Sequence, residues 1–308
     1  MTPKVSVVTV NWNKFADTCA CLDSLIAQEG VIAELIIVDN GSTDNSESRL
    51  RQHYPNITLI RSEENLGFAG GFNLGIRFAL SMGAETIMII NNDTVADKDM
   101  IRNLLGEMDD ELVGATSPLI LYYSDPQRVW SSGGDINPTV LMPIDAHHRD
   151  DVLEGPVYRT FLSGCCLLIK RDLLESVGLF DETFFLYFED LDFCLRILRS
   201  GWQMKVVPSA KLLHKVSLSS GGENSPRERY FIALSTILYY RKHITRQNFM
   251  VIVLFRLIST ILWTFRLLFR GQITALWAYW RGLITGLKKN PELVSDSFMQ
   301  PRPNHRNN

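Results

Sequence analysis

Val5-Ser6-Val7-Val8-Thr9-Val10-Asn11-Trp12-Asn13 decides how the rest of this chain is read. An apolar, β-branched run ends abruptly in polar residues, with no glycine at the turn. Similar runs recur at 35–38, 58–60, 86–90 and 113–117. Between them, 15–28, 44–53, 71–82 and 98–108 carry apolar residues at helical spacing. Asp44 and Asp97 offer N-caps for the second and fourth of these helices. Near-continuous apolar strands separated by helices predict an α/β fold with a parallel sheet covered on both faces. Ligands of such sheets gather at the carboxyl ends of the strands, so the strand tips carry the functional reading.

The first tip, Asn11-Trp12-Asn13, lacks the G-x-G-x-x-G of a dinucleotide fold, and the chain has no G-x-x-x-x-G-K-[ST] P-loop. The second tip is Asp39-Asn40-Gly41-Ser42-Thr43-Asp44. Turn chemistry accounts for everything after Asp39, but not for a carboxylate at the end of a buried strand. After the third strand, glycines at 67, 70, 71 and 75 let a helix approach the sheet closely, and their amides could face phosphate. The fourth tip, Asn91-Asn92-Asp93-Thr94, offers oxygen ligands suited to Mg²⁺ or Mn²⁺ if a diphosphate completes the shell.

Farther on, 122–158 reads as a long irregular insertion, punctuated by Gly133-Gly134, Pro138, Pro143, His147-His148 and Pro156. A strand is expected over 161–169 and helices over 172–177 and 189–200, then two short extended pieces at 202–207 and 211–214. Glu189-Asp190-Leu191-Asp192 opens a helix after an aromatic run. Acids complement a helix N-terminus, and Asp192 can face Arg196 at i,i+4. An apolar wall, however, raises a carboxylate toward the range of a general base. His214 adjoins Lys215 and a Ser/Gly loop at 217–222, a composition suited to phosphate.

Hydrophobic residues make up 46% of the 308 and the net charge is −3, which is globular and does not suggest a nucleic-acid binder. The average hides a split. Residues 241–290 hold nine Lys/Arg and no acid, and the last eighteen residues balance, so 1–240 carry −12. Five cysteines without CxxC spacing support neither a disulfide framework nor a zinc site and suit a reducing cytosol. No signal peptide is expected at the N-terminus.

In order, V-S-V-V-T-V-N-W-N, D-N-G-S-T-D, N-L-G-F-A-G-G-F-N-L-G, N-N-D, S-G-C-C-L-L-I-K-R, G-L-F-D-E-T-F-F-L-Y-F-E-D-L-D-F-C-L-R and His214 resemble the family 2 glycosyltransferases of GT-A fold. The likeness is to the bacterial rhamnosyltransferase-like branch and spans about residues 4–222. It implies a mostly parallel central sheet flanked by helices, a catalytic domain over 1–240, and a basic, amphipathic helical region and tail over 241–308. It assigns Asp39 to the nucleobase, with Val10, Asn11 and Asn13 close by, and Asn65, Gly67 and Asn73 to the donor-side loop. Asn91, Asn92 and Asp93 correspond to the D-x-D metal motif, with Asn91 in place of its first acid. His214 resembles a metal or diphosphate contact, and Asp190, beside Glu189, falls where the family has its catalytic base. Gly164 and Cys165 resemble the acceptor-side wall, and Trp130 with the insertion is expected to help select the sugar.

The implied reaction is a single inverting displacement from a nucleotide-diphospho-sugar, with dTDP-rhamnose favoured, onto a polyprenyl-diphosphate-linked glycan. The alternatives are a UDP-hexose, UDP-N-acetylhexosamine or UDP-galactofuranose transferase and, outside the class, an inactive nucleotide-sugar-binding scaffold. A nucleotidyltransferase would need a glycine-rich, basic first turn that this chain lacks. Residues 249–269 are long enough to span a bilayer, yet Arg256 and Arg266 interrupt them and Trp263, Trp277 and Trp280 lie among arginines. The expectation is peripheral attachment at the cytoplasmic face of the inner membrane, with packing on the body or in a homodimer as the other use of this face.

Overall fold

The computed structural model describes residues 2–144, 153–216 and 224–288. His147, His148, the 217–222 loop and the tail beyond Lys288 lie outside the described residues. The first half runs β1 (Lys4–Asn11), α1 (Phe15–Ile26), β2 (Ile32–Asn40), α2 (Ser46–His53), β3 (Thr58–Ser62), α3 (Gly67–Ser81), β4 (Thr86–Asn91), β5 (Thr94–Ala96) and α4 (Met100–Leu105). It continues through β6 (Val113–Tyr122), β7 (Asp125–Ser131), β8 (Asp135–Ile136), β9 (Pro143–Ile144), β10 (Val157–Arg159) and β11 (Cys166–Lys170). The rest is α5 (Arg171–Val177), α6 (Glu189–Arg199), β12 (Gln203–His214), α7 (Pro226–His243), α8 (Phe249–Phe269) and α9 (Ile273–Lys288).

One sheet dominates, in the order β10-β12-β6-β11-β4-β1-β2-β3, with β5 on β12 and β7 on β6. β3, β2, β1 and β4 are parallel, as are β6 and β12, while β11 opposes both its neighbours. The expected mostly parallel sheet is therefore present, split by one reversed strand. Helix α3 lies hard against it: a Cβ on Gly75 would sit 2.3 Å from Val8 Cγ1. That contact explains the glycine, which costs about 1 kcal/mol of helix propensity.

Several expected boundaries move. Helix α3 starts at Gly67 rather than 71. The strand expected from 161 begins only at Cys166, and Phe161 makes a single bridge to Gly134. The extended pieces at 202–207 and 211–214 are one strand, β12, whose register slips between Val207 and Lys211 around Pro208. The 122–158 insertion carries four short strands, β7 to β10. Asp44 accepts from Ser46 N at 3.0 Å, one residue before the cap position, Asn45. Asp97 serves α4 through its carbonyl, which accepts from Met100 N at 3.0 Å.

The boundary expected at 240 falls inside α7, which runs unbroken to His243. Helix α9 nests on α7 through Gly282 and Gly286, where a Cβ would meet Tyr230 O at 2.3 Å and Ile237 Cβ at 2.7 Å. Helix α8 runs back along α7, with Arg256 over the Tyr240 ring at 5.9 Å and Arg229 over Trp263 at 4.5 Å. Arg266 lies over Trp263 at 4.9 Å. Only Ile252 and Leu267 of α8 are buried; Met250, Leu254, Leu257, Ile261, Leu262, Phe265 and Phe269 are exposed. By length and composition α8 could cross a membrane, with mean hydropathy 1.9 over its apolar window.

Asp192 fastens this layer to α6. Wholly buried, it accepts from Arg196 Nε at 2.8 Å and meets Lys242 Nζ and His243 Nε2, each at 2.7 Å. Arg199 donates to His243 Nδ1 at 2.9 Å, which leaves the ring proton on Nε2, toward Asp192. Burial works against the Asp192 charge, but His243, Arg196 and Lys242 overrule it and pull the carboxyl from 3.8 down to about 2. Asp192→Asn is expected to cost about 3 kcal/mol in denaturant unfolding, because Arg196, Lys242 and His243 lose the buried anion they share. A depressed carboxyl stabilises fully above its unfolded value and loses that contribution as pH falls toward its folded one. The difference between wild type and variant should therefore shrink between about pH 4 and pH 2, and a gap independent of pH would refute the assignment.

Candidate active site

The strand tips open into a cleft of about 430 Å³. Of the expected residues, Val10, Asn65, Gly67, Asn91, Asn92, Asp93 and His214 line it, together with Trp130, Gly164, Cys165, Glu189 and Asp190. Asn11, Asn13, Asp39 and Asn73 do not. A larger depression of about 570 Å³, beside α1, β2 and α2, contains none of the strand-tip residues.

Register brings Asp93 and His214 together. β5 pairs antiparallel with β12 so that Thr94 faces His214, and Lys215 N donates to Asp93 O at 2.9 Å. His214 Nε2 lies 3.2 Å from Asp93 Oδ1, and the Trp130 ring meets the imidazole edge-on at 4.4 Å between centroids. Burial opposes an imidazolium, but Cys165 and Asp93 outweigh it and hold His214 up at about 10. Since burial also raises the Cys165 thiol, the charge responsible is the Asp93 carboxylate. Among the described residues, His214 Nδ1 makes no hydrogen bond of ordinary geometry. Among the described residues no three His, Cys, Asp or Glu form an all-protein cage. The Asp93 oxygen and the His214 nitrogen fit one divalent cation that takes its other ligands from a diphosphate.

Asp39 lies behind the cleft wall, wholly buried, accepting from Asn11 Nδ2 at 2.8 Å, Ser42 N at 3.3 Å and Arg61 Nη1 at 3.1 Å. Asn13, left-handed at φ 54, fastens the same turn by accepting from Thr43 N at 2.8 Å. Asn73 points elsewhere. Its amide donates to Phe180 O and Glu182 Oε1, both at 2.8 Å, and accepts from Phe180 N at 3.1 Å, so it braces the 180–182 turn beneath the cleft.

The carboxylate end of the cleft depends on unusual backbone. Tyr187 and Phe188, neither a glycine, both adopt left-handed φ, 68° and 71°, immediately before α6. The turn delivers Glu189 and Asp190 to the cleft. Asp190 accepts from Leu191 N at 2.8 Å and Gly164 N at 3.2 Å. Glu189 is 5% exposed, and burial followed by the Asp190 charge pushes it well above the carboxylate range.

Three cleft residues carry no sequence signal of their own. Asn40 Nδ2 donates to Asn65 Oδ1 at 3.1 Å and Gly67 O at 3.0 Å, closing the glycine-rich loop. Lys14 follows the first tip. Arg227 arrives from the start of α7, its guanidinium 5.0 Å from the Trp12 ring. Only the fold reveals that residue 227 returns to strand one.

Residues 6–178 match Glycosyl transferase family 2. A Mycobacterium tuberculosis protein named N-acetylglucosaminyl-diphospho-decaprenol L-rhamnosyltransferase is 31% identical over 244 residues, 72% of this chain and 79% of its own. Galactofuranosyltransferase GlfT1 of Mycolicibacterium smegmatis is 26% identical over 223 residues, 69% and 71% of the two chains. The solved mannosyltransferase PcManGT from Pyrobaculum calidifontis, in complex with GDP-Man and Mn²⁺, superposes with a TM-score of 0.58 at 18% identity, covering 94% of this chain and 77% of that one, and shares the GT-A fold.

Gly67 tests how tightly this cleft is built. It sits at φ 74, and a Cβ there would lie 2.3 Å from Phe185 O. Gly67→Ala should lower stability by about 1–3 kcal/mol in thermal or denaturant melts. A neutral substitution would mean that the loop is not clamped against Phe185.

Proposed function

Because the chain belongs to glycosyl transferase family 2, we propose that it is an inverting transferase moving L-rhamnose from dTDP-rhamnose onto a lipid-linked glycan in cell-surface polysaccharide synthesis. The observation that carries the transferase chemistry is one cleft holding both the Asp93–His214 pair and the Asp190 carboxylate. The sugar is supported by the relative named as a rhamnosyltransferase. Galactofuranose and UDP-hexoses are the competing donors.

Asp93 and His214, the latter once it gives up its proton, would hold a divalent cation, Mg²⁺ or Mn²⁺, which would supply positive charge against the diphosphate of the leaving nucleotide. Asp190, fixed by two backbone N–H groups, takes the proton of the acceptor hydroxyl as that oxygen bonds to the anomeric carbon and the bond from that carbon to phosphate breaks. Arg227 adds positive charge on the leaving-group side. Asp39 and Asn11, out of the lining, hold the turn beneath the nucleobase.

Hydrolysis and transfer should be assayed across a panel of nucleotide-sugars, with and without divalent metal. The expected result is metal-dependent turnover of dTDP-rhamnose above the others. Asp190→Asn should lose about 10²–10⁴-fold in transfer while nucleotide affinity holds. Turnover of no nucleotide-sugar would remove the enzyme reading, and preference for a UDP-sugar would remove rhamnose.

The second part of the reading is attachment to the cytoplasmic face of the inner membrane. Its support is the apolar outer side of α8 and α9, with Phe269 84% and Trp277 75% exposed, and the basic residues around it. Arg256 and Arg266, which would oppose insertion, both lie over rings of this helical layer. Helix α8 touches α7 through the Arg229–Trp263 and Arg256–Tyr240 pairs and packs on α9, which supports its lying in the membrane plane rather than across it. The full chain should float with anionic liposomes at low salt and weaken at high salt, each Lys/Arg contributing about 1 kcal/mol near such a surface. No flotation at low salt, with dimers in solution, would assign the face to a second copy of the chain.

A further inference from the structure

We propose that Glu189 works as a neutral hydrogen-bond donor to a sugar hydroxyl in the cleft, leaving Asp190 as the ionised member of the pair. The inference rests on the transferase reading above. It departs from the ordinary view of two adjacent acids as interchangeable bases, because their surroundings differ.

Asp190 has what an anion needs. One oxygen accepts from Leu191 N at 2.8 Å and the other from Gly164 N at 3.2 Å. Such N–H donors favour the charged carboxylate. Glu189 has only its own backbone N–H, too little to offset its burial and the neighbouring charge, and, among the described residues, no cation in ion-pair range. It is 5% exposed and borders the cleft, and among the described residues its Oε2 has no hydrogen-bond partner. Of the run before it, Phe184, Phe185, Leu186 and Phe188 are hydrocarbon, and Tyr187 alone carries a hydroxyl.

A second negative charge beside Asp190, in an apolar wall, is the costly arrangement; one shared proton removes it. Burial and the neighbouring charge both act in that direction on Glu189. A buried carboxylic acid still needs an acceptor for its O–H, and Glu189 borders the cleft that a substrate would fill. Of the groups a glycosyl donor or acceptor brings, a hydroxyl oxygen answers that need without placing charge on Glu189. The tandem left-handed residues Tyr187 and Phe188 then have a purpose: they hold two carboxyls at one cleft in unlike surroundings.

The test compares Glu189→Gln, Glu189→Ala and Asp190→Asn in the full chain. A neutral amide copies the donor role of a protonated acid, so Glu189→Gln should lose under about tenfold in kcat/KM, against about 10²-fold for Glu189→Ala. Asp190→Asn should lose most. Loss of donor hydrolysis as well as transfer in Glu189→Ala would place the hydroxyl on the donor sugar; loss of transfer alone would place it on the acceptor. Independently of turnover, the infrared spectrum of the wild-type chain at neutral pH should show a protonated carboxyl band that Glu189→Gln lacks. Loss in Glu189→Gln as large as in Asp190→Asn, or absence of that band, overturns the proposal. If no nucleotide-sugar is turned over, the transferase reading fails while the band still reports on Glu189.

Discussion

The hydrogen bond from Phe68 N to Phe185 O, 2.8 Å long, joins the two segments from which the cleft is assembled. It forms because Gly67 has no Cβ; any side chain there would occupy the position of the accepting carbonyl. The glycine-rich loop after β3 is thereby docked onto the aromatic turn that precedes α6. Asn40 holds the loop from the other side, through Asn65 and Gly67. Phe185 in turn stacks on Phe231 of α7 at 5.1 Å between centroids. The sheet thus sets where the strand tips end, and this contact sets how far the carboxylates of α6 stand from them.

The acidic body divides its work by surroundings rather than by number of acids. Asp39 is saturated by Asn11, Ser42 and Arg61 and supports a turn. Asp192, among Arg196, Lys242 and His243, is an ionic joint. Asp93 faces one imidazole and open cleft, Asp190 has two backbone donors, and in Glu189 burial and the Asp190 charge prevail over its own backbone N–H. Identical chemistry in the sequence becomes five different groups, because solvation and partners decide what a carboxyl can do.

Much of this was legible from the residues. The four parallel strands and their polar tips follow from β-branched runs and their ends, and twelve of the expected site residues line one cleft. What the sequence concealed is long-range. Asn73 carries the same amide as Asn65, but its helical position turns it toward Phe180 rather than the cleft. Arg227 and Lys242 look like ordinary helix charges until the fold brings one over Trp12 and the other onto Asp192. The continuity of β12 was hidden by Pro208, which reads locally as a break and is accommodated by slipped register. The domain seam was misplaced because composition changes at 241, whereas the helix that carries the change is already anchored sixteen residues earlier, at Ser225.

Helix α7 consequently belongs to both halves. Its first turn puts Arg227 in the cleft and Arg229 against Trp263; its last turn puts Lys242 and His243 on Asp192, two residues beyond Asp190. Helix α8, with its exposed apolar face, meets the same helix through Arg229–Trp263 and Arg256–Tyr240 and packs on α9. On the proposed membrane-surface reading, the cleft and the membrane-facing helix are then joined through α7. A lipid-linked acceptor held at that surface would meet Asp190 at a defined height, and its reach would be set by the packing of α7 on α6. On that reading, the basic region would orient the active site at the surface rather than serve as an appended anchor.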